Sequence, residues 1–335
     1  MDKKSQNLNI MTTEQIISFC FEKETKPITR IDRDALQKCE LRPQESHIKI
    51  KNGQFSIVRE HENQDQLRSK FLLSLFSCRD GFQSQGVKLS DLDCEFIFNS
   101  GDDVDFYEEG VPRWCFTRRA HHPNLLIPNS HVVNVQNVTK SFCSTDIDFE
   151  KKEDKAIFAG SYAGGSDPKE NQRFRFCWEN QNSQLGDLKI TNFFMDGSPN
   201  GHSQYLEKYE WKKIESEFIP YSKQLKYKYI FNINGNTNSW DRLPWAMNSN
   251  SLCLFLRPKR EDMCWHYHYF KTFGGFVYVD ETDWEASVEF FNANPSVAKK
   301  LVLFQQKQSA TFVSLENHIN YFAQILAFYN KLYNS

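Results

Sequence analysis

Two stretches in the second half of the chain join an apolar run to a glycine turn and then to a segment of helical character. The first is KAIFAGSYAGG, Lys155 to Gly165, with Gly160-Ser161 closing the apolar run and Arg173 entering the segment beyond. The second is YKYIFNINGNTNSWDRLPWAMNSNSLCLFL, Tyr227 to Leu256, where Asn234-Gly235 closes the run and Ser239-Trp240-Asp241-Arg242 leads into the next element. Glycine lets a backbone approach a ligand closely. A helix N-terminus just beyond presents unpaired N–H groups to an anion such as a diphosphate. Arg242 would add a planar fork of donors that pairs with phosphate oxygens. Neither stretch has the spacing of a dinucleotide fingerprint or a P-loop, so a plain turn explains each as well as a phosphate cradle does.

In the first half, the apolar run Cys94 to Asn99 stops at Ser100-Gly101-Asp102-Asp103. A carboxylate at the end of a buried strand, beside a like charge, has the raised pKa of a general base. Asp102 is the candidate and Asp103 the fallback; a solvated turn carboxylate is the ordinary alternative. Trp114-Cys115-Phe116 ends similarly at Thr117-Arg118-Arg119, whose guanidiniums either reach across a cleft or face solvent. Trp240 either stacks on a base or packs in a core. His121-His122 and His266-x-His268 fit neither common structural zinc spacing, and no cysteine pair supports them.

Strands alternating with helices must position these residues. Thr12 to Glu22 is predicted to be a helix capped by Thr12, with Gln15 completing a capping box. The alternation from His47 to Glu60 predicts a hairpin turning at Lys51-Asn52-Gly53, and Gln66 to Ser77 a helix. Strands are expected at Cys94–Asn99, Trp114–Phe116, Lys155–Phe158, Lys189–Met195, Tyr227–Ile233, Ser251–Leu256 and Phe276–Val279. Helices are expected from Arg173, over Trp240–Met247, over Trp284–Asn292 and over Leu315–Tyr333. The class is α/β, and polar residues at the carboxyl ends of its strands lie where open α/β sheets bind ligands.

At 335 residues the chain suits two domains, with a junction in the charged stretch Ser141 to Asp154. The hydrophobic share of 39% and the charged share of 25% describe a folded protein. The net charge of -2 argues against a nucleic-acid partner. No apolar leader follows the polar start, and no run approaches the roughly 18 residues that span a bilayer. Nine cysteines without a CxxC pair read as reduced, buried thiols of a cytoplasmic protein.

The segment from Tyr227 to Ser251 resembles the signature of glycosyltransferase family 90, which includes protein O-glucosyltransferases and lipopolysaccharide- and capsule-modifying glucosyl- and xylosyltransferases. The matching residues are Tyr227-Lys228-Tyr229, Asn234-Gly235, Ser239-Trp240-Asp241-Arg242 and Ser249-Asn250-Ser251. Gly160-Ser161 and Arg173 match the family's upstream loop and arginine. Phe96 to Asp102 matches its strand closing on an aspartate, and Phe276 to Val279 a late strand.

The resemblance implies a GT-B fold of two Rossmann-like domains facing across a cleft. Residues 1–150 would form the acceptor side and 151–335 the nucleotide-sugar side, with the last helix packing back on the first domain. It implies an inverting transfer of glucose or xylose from a UDP-sugar to a glycan or glycolipid such as lipopolysaccharide, with no metal and no cofactor beyond the donor. The enzyme would act in the cytoplasm, in peripheral contact with the inner membrane surface. Asp102 would be the base; Gly160, Ser161, Arg173, Asn234, Gly235, Ser239, Trp240 and Arg242 would hold the donor. Ala159 stands where the family carries arginine, and Glu261 to Lys271 fits only through Trp265. The Ala159 departure sustains an alternative, a sugar-nucleotide- or glycan-binding protein that keeps the fold without turnover.

Overall fold

Short-range signals set the first elements. A computed structural model describes residues 11–61, 82–83, 86–101, 106–128, 139, 141, 145–165, 167–193, 206, 208–239 and 242–335. Thr12 caps α1 (Thr13–Thr25): its hydroxyl accepts from the Gln15 amide at 3.3 Å, and the Gln15 side chain accepts from the Thr12 amide at 2.8 Å. After α2 (Arg33–Lys38), β1 (Glu45–Lys51) and β2 (Gln54–Glu60) form the expected hairpin. Its turn residues Asn52 and Gly53 both have positive φ, 51° and 71°, which a two-residue turn matched to strand twist requires. The helix expected over Gln66 to Ser77 lies outside the described residues.

β1 also pairs antiparallel with β3 (Asp93–Asn99), which pairs parallel with β4 (Arg113–Cys115). From β4 the chain runs through β5 (Arg118–Arg119) to β6 (Leu125–Leu126), which returns parallel to β4. The first sheet, ordered β2-β1-β3-β4-β6, is therefore mixed, not fully parallel. The hairpin dictates this, since a two-residue turn joins only antiparallel neighbours.

The second half alternates strand and helix: β7 (Glu153–Ser161), α3 (Gln172–Glu179), β8 (Gly186–Asn192), α4 (Tyr221–Gln224), β9 (Tyr227–Asn232), α5 (Arg242–Asn248) and β10 (Leu252–Leu256). Then come β11 (Asp262–Met263), α6 (Tyr267–Phe273), β12 (Val277–Val279), α7 (Trp284–Ala293), α8 (Pro295–Ser309) and α9 (Leu315–Tyr333). β8 begins three residues before the expected Lys189. Gly186 opens it, at a position where a Cβ would lie 2.8 Å from the Trp284 ring.

Every pairing in the second sheet is parallel, and its order is β12-β10-β9-β7-β8. Its central strands β7, β9 and β10 are buried on both faces over most of their length, as parallel strands between helices must be, while the edge strands β8 and β12 are partly exposed. Alternate residues divide between two cores. Ala156, Phe158, Tyr229, Phe231, Leu252 and Leu254 meet α3, α7 and α8. Ile157, Ile230, Cys253 and Phe255 meet α5, α6 and α9 in a core that continues into the first sheet. In that continuation α9 fastens to β3: Tyr329 Oη donates to the Glu95 carbonyl at 2.9 Å, and Asn330 accepts from the Asp93 amide at 2.8 Å. β5 pairs with β11, joining the carboxyl end of β4 to the second half. No described helix is long and apolar enough to cross a membrane.

Candidate functional site

In the second sheet β7 has β8 on one side and β9 on the other. The helix after β7 covers one face, through Phe174, Phe176 and Cys177; the helix after β9 covers the other, through Leu243, Trp245 and Met247. Connections that leave adjacent strands for opposite faces open a crevice between their carboxyl ends, the topological switch point where open α/β sheets bind ligands. The Gly160-Ser161 and Asn234-Gly235 turns both lie at this point.

The two turns touch. A Cβ on Gly235 would lie 3.0 Å from the Ala163 Cβ and 3.1 Å from the Arg173 guanidinium, and one on Gly164, where φ is 113°, would lie 3.1 Å from the Gly235 carbonyl. These contacts are tighter than a Cβ ordinarily makes, and at Gly164 the positive φ favours glycine as well. The Gly164 amide donates to Asn236 Oδ1 at 2.8 Å, and Ser239 Oγ donates to the Ile233 carbonyl at 3.3 Å. Arg173 bridges both strand ends. Its Nε and Nη2 donate to the Ile233 carbonyl at 3.1 and 3.0 Å, and its Nη1 to the Ser161 carbonyl and hydroxyl at 3.2 and 3.3 Å. Arg242 donates to the Ala159 carbonyl and to Gln224 Oε1, with its guanidinium 5.1 Å from the Phe158 ring.

The structure thus gathers Gly160, Ser161, Arg173, Asn234, Gly235, Ser239 and Arg242 around one crevice. Asp102 and Trp240 lie outside the described residues, as does Asp103. The neighbours of Asp102 show where its strand ends: the Gly101 amide donates to Asn99 Oδ1 at 2.8 Å, and the Ser100 amide donates to the Gln44 carbonyl at 3.0 Å.

The crevice opens into a cavity of about 250 Å³ between the Gly164–Gly235 contact and the chain leaving β10, lined there by Lys259, Arg260 and Asp262. Beyond Asn234 and Asp262 lies a second cavity of about 550 Å³, walled by Tyr267, Phe270, Phe276 and Tyr278. Sequence reasoning passed over Arg257 to Arg260, although three cations in four residues after an apolar strand were a legible signal.

Several other cations and histidines have structural partners. Arg175 pairs with Glu281 at 2.5 Å. Arg118 is buried on Glu24 at 3.1 Å, while Arg119 crosses to Asp262 at 2.5 Å. His268 meets the same Glu24 at 3.0 Å. Burial pushes the Glu24 carboxyl up, but Arg118 and His268 outweigh it and hold the pKa at about 2. His266 is buried against Cys264, and desolvation lowers its pKa to about 3, so it is a neutral core imidazole. Among the described residues, no three His, Cys, Asp or Glu side chains come together as metal ligands. The seven described cysteines are free and buried.

No protein-family model matches the chain. Over 112 residues it is 31% identical to a protein of Dichelobacter nodosus named O-glucosyltransferase LpsA. The match covers 32% of this chain and 34% of that protein, so it spans about a third of the relative's length.

Proposed function

We propose that the chain is a glycosyltransferase that moves a sugar from a nucleotide-sugar donor to a glycan or glycolipid acceptor. The observation that carries this reading is the convergence of the Gly160-Ser161 and Asn234-to-Ser239 turns at the switch point of the parallel sheet, beside a cavity whose lining includes Lys259 and Arg260 together with the carboxylates Glu170 and Asp262. The partial likeness to a protein named O-glucosyltransferase supports the reaction class, and the family resemblance supports a UDP-sugar donor and a GT-B arrangement.

In this reading the donor's diphosphate lies over the two glycine turns, which bring backbone close to it, and the nearby guanidiniums stabilise the charge that develops as the nucleoside diphosphate departs. Asp102, which follows β3 by three residues in the sequence, takes the proton of the acceptor hydroxyl as that oxygen attacks the anomeric carbon from the face opposite the diphosphate. The C–O bond to the diphosphate breaks as the new one forms, so the configuration inverts. Cations of the chain take the place of a metal ion at the leaving group. β5 and β11 pair the first half of the chain with the second.

Incubation with a panel of UDP-sugars tests the reading. Slow release of UDP, with the matching sugar stabilising the fold in a thermal-shift assay, is expected. At about 100 times its dissociation constant, a ligand adds roughly 2.7 kcal/mol. Stabilisation without release, persisting when glycan acceptors are added, favours a binding protein without turnover, the alternative raised by Ala159. No stabilisation by any nucleotide sugar refutes the donor site.

A further inference from the structure

The cations around the crevice are not equivalent. Arg173 and Arg242 donate to backbone carbonyls and neutral side-chain oxygens, and Arg175 is committed to Glu281. Arg260 differs. It lines the smaller cavity, and its side chain is 47% exposed. Its Nε donates to Asp262 Oδ2 at 3.1 Å, and its Nη2 donates to the carbonyl of Asn236, in the turn that closes β9.

Asp262 is only 3% exposed, and its other oxygen accepts from Arg119 Nη1 at 2.5 Å. One carboxylate therefore serves two guanidiniums, one from each half of the chain, and this group of three keeps a net positive charge. Lys259, on the same wall, stands 4.0 Å from Glu170 with both side chains largely exposed, a contact that screening leaves weak.

We propose that Arg260 binds the diphosphate of a nucleoside-diphosphate donor, with Asp262 and Arg119 as positioning residues that hold it over the cavity. This rests on the donor site proposed above. Arg260 exchanges a neutral carbonyl acceptor, Asn236, for phosphate oxygens, and a charge-assisted bond is roughly twice as strong as a neutral one. Asp262 keeps its bond to Nε and so fixes the plane of the guanidinium while Nη2 turns to the ligand. The Asn236 carbonyl is on an exposed residue, so water replaces the lost donor. Arg119 holds Asp262 from the first half, which ties the alignment of the anion site to the strand end that leads toward the acceptor side.

Titrations with UDP and with uridine test this, using the wild type, Arg260→Ala, Arg260→Lys and Lys259→Ala, each checked for an unchanged melting temperature. Arg260→Ala is expected to weaken UDP about 10- to 100-fold, the worth of a charged hydrogen bond, and to leave uridine within about 2-fold. Arg260→Lys should recover part of the loss, since an ammonium restores the charge but not the fork. Lys259→Ala should cost less than about 3-fold. If the wild type binds UDP and Arg260→Ala binds it equally well, the assignment of Arg260 is wrong while the donor site stands. Equal losses of UDP and uridine would overturn it too, because the residue would then shape the cavity and not read the diphosphate. If the wild type, titrated also with ADP and GDP, binds none of the three diphosphates, the donor site itself is wrong and this inference goes with it.

Discussion

Replacing Arg173 by alanine separates the fastening of the two turns from their use. In the native chain the contacts of this guanidinium include two to the Ile233 carbonyl and two to Ser161. A hydrogen bond to a charged group contributes about 1.5–3 kcal/mol, but these do not add. Two converge on one oxygen, and that oxygen keeps its bond from Ser239 Oγ at 3.3 Å. Ser161 is half-buried, so water reaches its freed acceptors. The cost then corresponds to about one charged bond plus a partial second, about 2–3 kcal/mol. Unfolding entropy of about 2.1 cal/mol/K per residue gives a chain of 335 residues about 0.7 kcal/mol/K, so the melting temperature should fall by about 3–4 °C. UDP affinity should fall about 10-fold as the turns lose their mutual alignment. Differential scanning calorimetry and isothermal titration read the two quantities. Arg173→Lys, able to reach one carbonyl at a time, should lie between. A melting temperature within 1 °C of wild type refutes the fastening role. The expected fall with UDP affinity unchanged refutes the idea that turn alignment sets donor binding.

Three further outcomes follow from the same geometry and from the resemblance. Asp102→Asn should cut sugar transfer by about 10²–10⁴ while leaving UDP binding within a few-fold, and Asp103→Asn should do much less; near-normal transfer in both, measured with radiolabelled donor, removes this strand end from catalysis. Transfer should survive EDTA, because cations of the chain serve the leaving diphosphate, and loss of activity restored by manganese or magnesium contradicts that. Glu24 should carry part of the acid sensitivity of the fold. Its pKa falls from an ordinary 4.5 to about 2, so its contribution is fully present above about pH 4.5 and is lost as the pH drops toward 2. A shift of that size corresponds to about 3 kcal/mol. Glu24→Gln should be less stable at pH 6 and show a flatter loss of urea midpoint between pH 5 and 3, whereas parallel slopes would mean that other groups carry the acid limb.

The elements that depend on neighbours a few residues apart were legible in the amino-acid order. Thr12 and Gln15 set the start of α1, Asn52-Gly53 set the hairpin, and the spacing of Ile319, Phe322, Leu326 and Tyr329 gave α9 its bounds. The elements that escaped carry a blurred local signal. α8 buries Gln305, Gln308 and Ser309 alongside Ala298 and Val302, so its inner face does not read as apolar. Asn294-Pro295 was nonetheless a readable start, since proline suits the first helical position. The run Tyr267-His268-Tyr269-Phe270 has no helical or strand periodicity by itself.

By itself the sequence determined the α/β class, the places where strands end in glycine, and the residue types available for a phosphate at those ends. Those follow from backbone sterics and side-chain spacing within a few residues of each position. Only the tertiary structure decided which ends meet and what each arginine does. The order that puts β7 beside β9 brings Gly164 against Gly235. Arg118 finds Glu24 from 94 residues away and is buried with it, and Arg119 finds Asp262 across 143. A guanidinium is the same fork of donors wherever it stands. Whether it fastens carbonyls, neutralises a buried carboxylate or faces a cavity depends on which acceptors the fold brings within 3 Å, and no local pattern encodes that.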